Sequence, residues 1–285
     1  MALTGATLFA LCDAEPPPAD WAYSFPTAAI DAHRDVADAW LPDGKFHTRF
    51  GVFALVDGVR ITLVDTGVGP GPHAYFPGLA GRLLAEMEDA GLDPAAVDTV
   101  LFTHFHLDHV GWACGGDGRP TFPKARYLAP AAELAHWQSE GRQAALPHHV
   151  AAYERCIAPL VVSGRLETAE SGEALLAPGL SFVAAPGHTK GHHAVLVEGR
   201  GRPVLIAGDL WHSPAQIAVP AWCHRADRDQ PRAIESRTRL AGWAAEAGAI
   251  VAAGHFPHDR VFGTIMRATG GGLTFAPLRG SAPAG

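Results

Sequence analysis

VDTVLFTHFHLDHVGW, residues 97–112, runs from a short apolar segment into three histidines and an aspartate within six positions. The apolar part reads as a buried strand that delivers the polar part at its C-terminal end. The plain alternative is an exposed histidine-rich turn. Spacing argues for a metal site instead. In extended chain His104 and His106 are two apart and share a face. Asp108 and His109 follow with an offset that lets them face a second point close by. Imidazole nitrogens with a carboxylate suit zinc best, with iron, manganese and cobalt as alternatives.

The same theme, an apolar strand ending in His or Asp, recurs outward from this stretch. RFGVFALVDGVRITLVDTG (49–67) reads as two strands about an Asp57-Gly58 turn, the second spanning Arg60 to Val64 and ending on Asp65. A glycine- and proline-rich loop (68–78) follows, then a helix over 78–91 with Leu79, Leu83, Leu84 and Met87 at helical spacing. ARYLAP (125–130) is a short strand, and 130–160 is mostly helical, with Trp137 and the pair His148-His149. LSFVAAPGHTKGHHAVLVEG (180–199) is strand, loop and strand around His188. RPVLIAGDLWHS (202–213) ends its strand near Asp209, and IVAAGHFPHD (250–259) ends its own near His255. ESRTRLAGWAAEAGA (235–249), between them, is helical, and the tail holds a last strand before a frayed end. A lone Asp after a strand is usually a cap or turn former, and a lone His is usually structural. Five strands that each end this way are hard to obtain from capping alone. Strand ends on one rim lie close in space.

The 285 residues are 48% hydrophobic and 18% charged, which supports a sizeable core and argues against disorder. A net charge of −7 without a dense Lys/Arg run argues against nucleic acid, since phosphate-backbone binding needs clustered positive charge. Cys12, Cys114, Cys156 and Cys223 are scattered, with no C-x-x-C pair, and read as free thiols. Residues 1–18 lack a basic leader pattern and read as a first strand running into a proline loop. No apolar stretch is long enough to span a membrane. The expectation is a cytoplasmic α/β protein with 1–285 as a single domain. Residues 1–49 form an N-terminal strand and loop extension, a plausible lid or dimer element, and 130–160 form a helical insert near the site.

HFHLDH (104–109) resembles the H-x-H-x-D-H signature of the metallo-β-lactamase superfamily, and His188, Asp209 and His255 follow in that superfamily's order. Asp65 in LVDTG resembles the aspartate that precedes the signature there. The resemblance implies an αββα sandwich, two mixed β-sheets flanked by helices. It implies that His104, His106 and His188 hold one divalent metal, that Asp108, His109 and His255 hold a second, and that Asp209 bridges them with a hydroxide. Asp108 is counted among the catalytic groups as well as the ligands. Asp65 would orient a ligand histidine through its other ring nitrogen. The chemistry implied is hydrolysis without a protein nucleophile.

THFHLDHVGW, FPKARYLAP, PGHTKGHHAVLV, LIAGD and AAGHFP look most like the lactonase and methyl-parathion-hydrolase-like branch. The implied substrate is a small neutral lactone or carboxylic ester, with organophosphate triesters as the alternative. A glyoxalase II-like thioesterase has thin support, since only Arg267 and Arg279 could supply its C-terminal basic cluster. A mononuclear-iron persulfide dioxygenase would leave His106 and His109 as spectators. Lactonases of this branch often carry a Tyr shortly after the bridging aspartate. Here Trp211 and His212 stand there, so His212 becomes the candidate for contact with the substrate carbonyl or leaving group. Phe105, Leu107, Trp112, Trp211, Trp222 and Phe256 are the expected pocket residues, with Trp21, Phe25 and Phe46 as further candidates.

Overall fold

The computed structural model describes residues 1–278 apart from 42, 140, 141, 143 and 174–178. Arg279 and the end of the tail lie outside the described residues. The first half holds β1 (Ala2–Leu3), β2 (Ala6–Ala14), β3 (Ala19–Asp20), α1 (Trp21–Ser24), α2 (Arg34–Trp40), β4 (Lys45–Phe46), β5 (Phe50–Asp57) and β6 (Arg60–Val64). It continues with α3 (Leu83–Asp89), β7 (Val97–Leu101), α4 (Leu107–Val110), β8 (Arg126–Pro130), α5 (Ala131–Gln138), α6 (Pro147–Ala152), α7 (Ala158–Val162) and β9 (Leu166–Ala169). The second half holds β10 (Leu180–Ala184), β11 (His193–Val197), β12 (Val204–Ile206), α8 (Ala215–Ala218) and α9 (Gln230–Glu246). β13 (Ile250–Ala252), β14 (Phe262–Arg267) and β15 (Leu273–Pro277) complete it.

Seven strands form one sheet in the order β1-β2-β5-β6-β7-β8-β9, and six form a second in the order β10 to β15. Strands β6 to β9 run parallel, as do β12 and β13. Side chains in a strand alternate between faces, and here both faces are buried. In β5, Phe53 and Leu55 pack with Val204, Ile206 and Phe182 between the sheets. Val52 and Ala54, one residue out of step, pack with Leu83 and Met87 of α3 in the outer layer. Leu205 and Val251 likewise face outward against Leu240 and Ala244 of α9. The result is helices, sheet, sheet, helices, the αββα sandwich implied by the signature.

Local boundaries differ from the sequence reading where particular residues act. The β5–β6 hairpin pairs Asp57 with Arg60, so the turn is Gly58-Val59, with Gly58 at φ +62°. The α3 helix starts at Leu83 rather than 78 because Gly78, at φ +80°, belongs to the preceding loop. The α9 helix starts five residues before Glu235, because the Asp229 side chain caps Arg232 N–H and Pro231 occupies the first turn. The four cysteines are free. Among the described residues no helix is long and apolar enough to cross a membrane.

The two sheets touch backbone to backbone at Gly51 and Gly254. A Cβ on Gly51 would stand 2.6 Å from the Gly254 carbonyl oxygen, one residue before His255. Gly51→Ala is therefore expected to destabilise the fold by about 1–3 kcal/mol through overpacking. Urea unfolding would show it as a lower midpoint at unchanged slope. A midpoint equal to wild type would mean that the sheets separate there without cost.

Candidate metal centre

The parallel strands carry their C-terminal ends to one rim. Asp65 follows β6, the segment 103–106 follows β7, Asp209 follows β12 and His255 follows β13. His188 comes from the β10–β11 loop. Chain direction changes inside the signature itself. His106 is extended, at φ −70° and ψ 159°, and the single turn of α4 begins at the next residue. That change turns Asp108 and His109 away from the face shared by His104 and His106.

Two sets of donors result. The ligand atoms of His104, His106, His188 and Asp209 lie within 4.8 Å of one another, and so do those of Asp108, His109 and His255. Asp209 touches both sets. Its Oδ2 is 3.0 Å from His188 Nε2 and 3.7 Å from His104 Nε2. Its Oδ1 is 2.9 Å from His109 Nε2 and 3.0 Å from His255 Nε2. Asp108 Oδ2 stands 3.7 Å from both His109 Nε2 and His255 Nε2.

The donor set fits a divalent-metal site on its own chemistry. His104 Nε2 is buried without a hydrogen-bond partner, which proteins avoid unless something else takes the lone pair. His106 Nδ1 and His188 Nε2 face each other at 2.8 Å, an approach natural to two nitrogens aimed at one cation. The opposite ring nitrogens are held. His109 Nδ1 meets Asp65 Oδ2 at 2.7 Å, and His188 Nδ1 meets Asp227 Oδ1 at 3.1 Å. His255 Nδ1 donates to the Arg49 carbonyl at 2.9 Å, and His104 Nδ1 lies 3.1 Å from Thr103 Oγ1. Such contacts fix which nitrogen is free to ligate.

Charges follow the geometry. Burial pushes His104 and His106 well below the ordinary imidazole value, with the neighbouring histidines His109 and His149 adding to it. Burial acts the same way on His188, but Asp209 and then Asp227 outweigh it and lift it to about 9. Asp209 likewise outweighs burial at His109 and His255, whose values rise. Asp209 itself is held well below the carboxylate range by His109, His255, His188 and His104, against the effect of burial.

His212 sits at the same centre. Its Nε2 is 3.2 Å from Asp209 Oδ2, and its ring stacks on His255 and on His224. Burial pushes its pKa down to about 4, so the ring is neutral at pH 7. Its Nδ1 is buried without a partner. An orphaned buried N–H is rarer than an orphaned acceptor, so the proton belongs on Nε2, the nitrogen facing the cluster.

The expected pocket residues are placed differently. A cavity of ≈ 330 Å³ lies over the cluster and includes Leu107 in its lining, but not Phe105, Trp112, Trp211, Trp222 or Phe256. Phe105 packs against Trp137 and Tyr153, Phe256 against Phe275, and Trp222 against Trp21. Trp211 is fully buried in the layer under α9, and Trp112 donates its indole N–H to Asp13. Each of Phe105, Trp211 and Phe256 directly adjoins a polar residue of the cluster, and its side chain packs into the layer behind it. Trp21 and Phe25 are buried too, whereas Phe46 reaches the cavity.

The actual wall comes from segments without a metal motif. Pro16, Pro17 and Tyr23 of the N-terminal region, Phe50, Tyr75 and Phe76, and Leu146, His148 and His149 line it together. Other supports also escaped the sequence reading. Asp227 joins His188 to the buried Arg237, and Glu133 accepts from Phe105 N–H, Trp137 Nε1–H and Thr189 O–H. Their only signal was burial of an acid, which no spacing reveals.

Residues 52–262 match the metallo-beta-lactamase superfamily. The chain belongs to that superfamily. It is 29% identical over 212 residues to metallo-beta-lactamase domain-containing protein 1 of Xenopus laevis, an alignment covering 74% of this chain and 72% of the relative. The fold superposes on a hydrolase in the beta lactamase superfamily, AbOPH, with a TM-score of 0.85, 24% identity and coverage of 99% and 97% of the two chains. It also superposes on AidC, a dizinc quorum-quenching lactonase, with a TM-score of 0.84, 19% identity and the same coverage. Family and site together make the protein a metal-dependent hydrolase.

A cation entering the cluster must displace the protons that Asp209 keeps on His188, His109 and His255. With His188 at about 9, that proton is bound throughout the neutral range, so metal affinity rises with pH up to that value. Calorimetric titration of the metal-free protein with zinc at pH 7, in buffers of different ionisation enthalpy, is expected to show net proton release. Heats that do not depend on the buffer would mean the histidines are already neutral.

Proposed function

We propose that the protein hydrolyses a small neutral lactone or carboxylic ester with two divalent cations, zinc foremost, held by the seven His and Asp side chains. The observation that carries this is the pairing of a complete double donor set with a largely apolar cavity above it. Tyr23, Phe46, Phe50, Tyr75 and Phe76 supply that cavity's aromatic surface, and among the described residues Arg225 is the one Arg or Lys in its lining. Such a wall favours a neutral substrate over a polyanion. AidC, a lactonase with two zinc ions, shares the fold and supports the reading.

Cations bound there would activate water and polarise the scissile carbonyl. The chain's own residues arrange what surrounds them. Asp65 and Asp227 hold His109 and His188 in register. His212 presents a neutral Nε2–H beside Asp209, where it can donate to the substrate carbonyl as negative charge develops on it. The apolar wall holds the acyl or alcohol part and excludes bulk water.

Metal content per chain, followed by turnover on lactones, aryl esters and paraoxon-like triesters, tests this. About two metals and preferential opening of a lactone or ester are expected. Preference for the triester would transfer the assignment to organophosphate cleavage, which suits the same neutral cavity. One iron without hydrolysis would refute both. His212→Ala is expected to lower kcat by about 100-fold at unchanged metal content, in the range for losing one oxyanion donor. Unchanged turnover would remove His212 from the chemistry.

A further inference from the structure

His149 lies outside the ligand pattern yet directly against it. It belongs to α6, and its ring stacks on His106 with centroids 3.8 Å apart and planes 18° apart. His148 packs against it at 4.2 Å between centroids, and Leu107 N–H donates to its Nδ1 at 3.2 Å. A ring nitrogen that accepts a backbone N–H carries no proton, so the ring's proton is on Nε2. With Nδ1 accepting and Nε2 carrying the single proton, the ring is in its neutral form. Among the described residues no group accepts from Nε2. The side chain nevertheless lines the cavity. With His106 on one face, His148 beside the ring and Leu107 on the Nδ1 edge, the edge left to the cavity is the one carrying Nε2.

We propose that His149 is a substrate-contacting hydrogen-bond donor, its neutral Nε2–H binding an acceptor in the substrate other than the scissile carbonyl. The inference rests on the hydrolase reading above and narrows its substrate class. His212 stacks on His255, of the second donor set, and His149 stacks on His106, of the first. The cavity thus offers a neutral donor beside each half of the cluster. A lactone or ester with a second carbonyl, such as an amide, satisfies both donors. One with a plain alkyl arm leaves the His149 N–H unpaired and loses affinity for that reason.

The test uses the full metal-loaded chain and two γ-lactones of equal chain length, one bearing an acylamino group beside the ring carbonyl and one bearing an alkyl group. His149→Phe keeps a flat ring against His106 and removes the donor. The expected result is a loss of kcat/KM about 10-fold larger for the acylamino lactone than for the alkyl lactone, the difference lying mainly in KM. Metal content should stay at the wild-type value. His149→Gln, whose amide restores an N–H, should recover part of the loss. Equal losses on both lactones, or no loss on either, overturn the proposal. Long-range proton–nitrogen NMR of the imidazoles gives a readout that needs no turnover, with His149 assigned from the signal missing in the Phe variant. A neutral Nε2–H ring whose resonance moves on adding the acylamino hydroxy acid supports the proposal. An Nδ1–H ring, or a resonance that does not move, overturns it. If the wild-type enzyme opens neither lactone, the lactone reading falls on its own, and the NMR measurement still decides the donor.

Discussion

One buried carboxylate organises this molecule. Asp209 lies within 2.9–3.7 Å of five imidazoles, those of His104, His109, His188, His212 and His255. An ionised acid with almost no access to water is tolerated only where positive charge or strong donors surround it. The fold meets that demand by bringing two sheets together at their rims, since the five histidines come from both halves of the chain. Asp209 itself is held by its backbone. The N–H donates to His192 Nε2 at 2.9 Å, while His192 Nδ1–H donates to the Ala185 carbonyl. His192, outside the ligand pattern, therefore keeps the central acid in place from the turn that leads into β11.

Around that centre runs a ring of contacts whose effect is orientation. Asp65 accepts from Thr103 N–H and Oγ1–H as well as meeting His109, so one carboxylate ties β6 to the turn after β7. It does so at φ +64°, an uncommon backbone for a non-glycine residue. Asp227 divides its oxygens between His188 and Arg237, and the guanidinium helps hold its carboxyl well below the usual range. Each of these acids acts on an imidazole nitrogen that does not face the cluster. The nitrogens that do face it are thereby left convergent on Asp209 and on one another.

The cluster of donors and the layered fold were legible in the sequence for one reason. Parallel strands buried on both faces give long apolar runs, and the polar residue that ends each run stands out against them. The supports were not legible, because Glu133 and Asp227 lie in an ordinary helix and an ordinary loop, where acids are common. Their role depends on contacts 28 to 58 residues distant in sequence for Glu133, and 39 for the Asp227–His188 pair. The pair His148-His149 was visible as a pair, but nothing in its spacing told which ring would lie flat on His106.

The pocket was misread for a reason that also constrains how specificity arises. Where His104, Asp209 and His255 turn to the cluster, their neighbours Phe105, Leu210 and Phe256 pack into the layers behind. The segments that carry the donors therefore have little side-chain surface left for substrate, and Leu107 is the exception. The wall has to come from elsewhere, and it comes from the N-terminal region, the loop after β6 and the start of α6. Those segments hold none of the seven clustered His and Asp donors, so residues such as Tyr23, Tyr75 and Leu146 can change without moving a donor atom. His149 is where the two roles meet: it forms wall on one edge and supports His106 with its face. A change of substrate that spared the chemistry would pass through the wall residues that do not touch the donor cluster, and one made at His149 would have to keep a flat ring against His106.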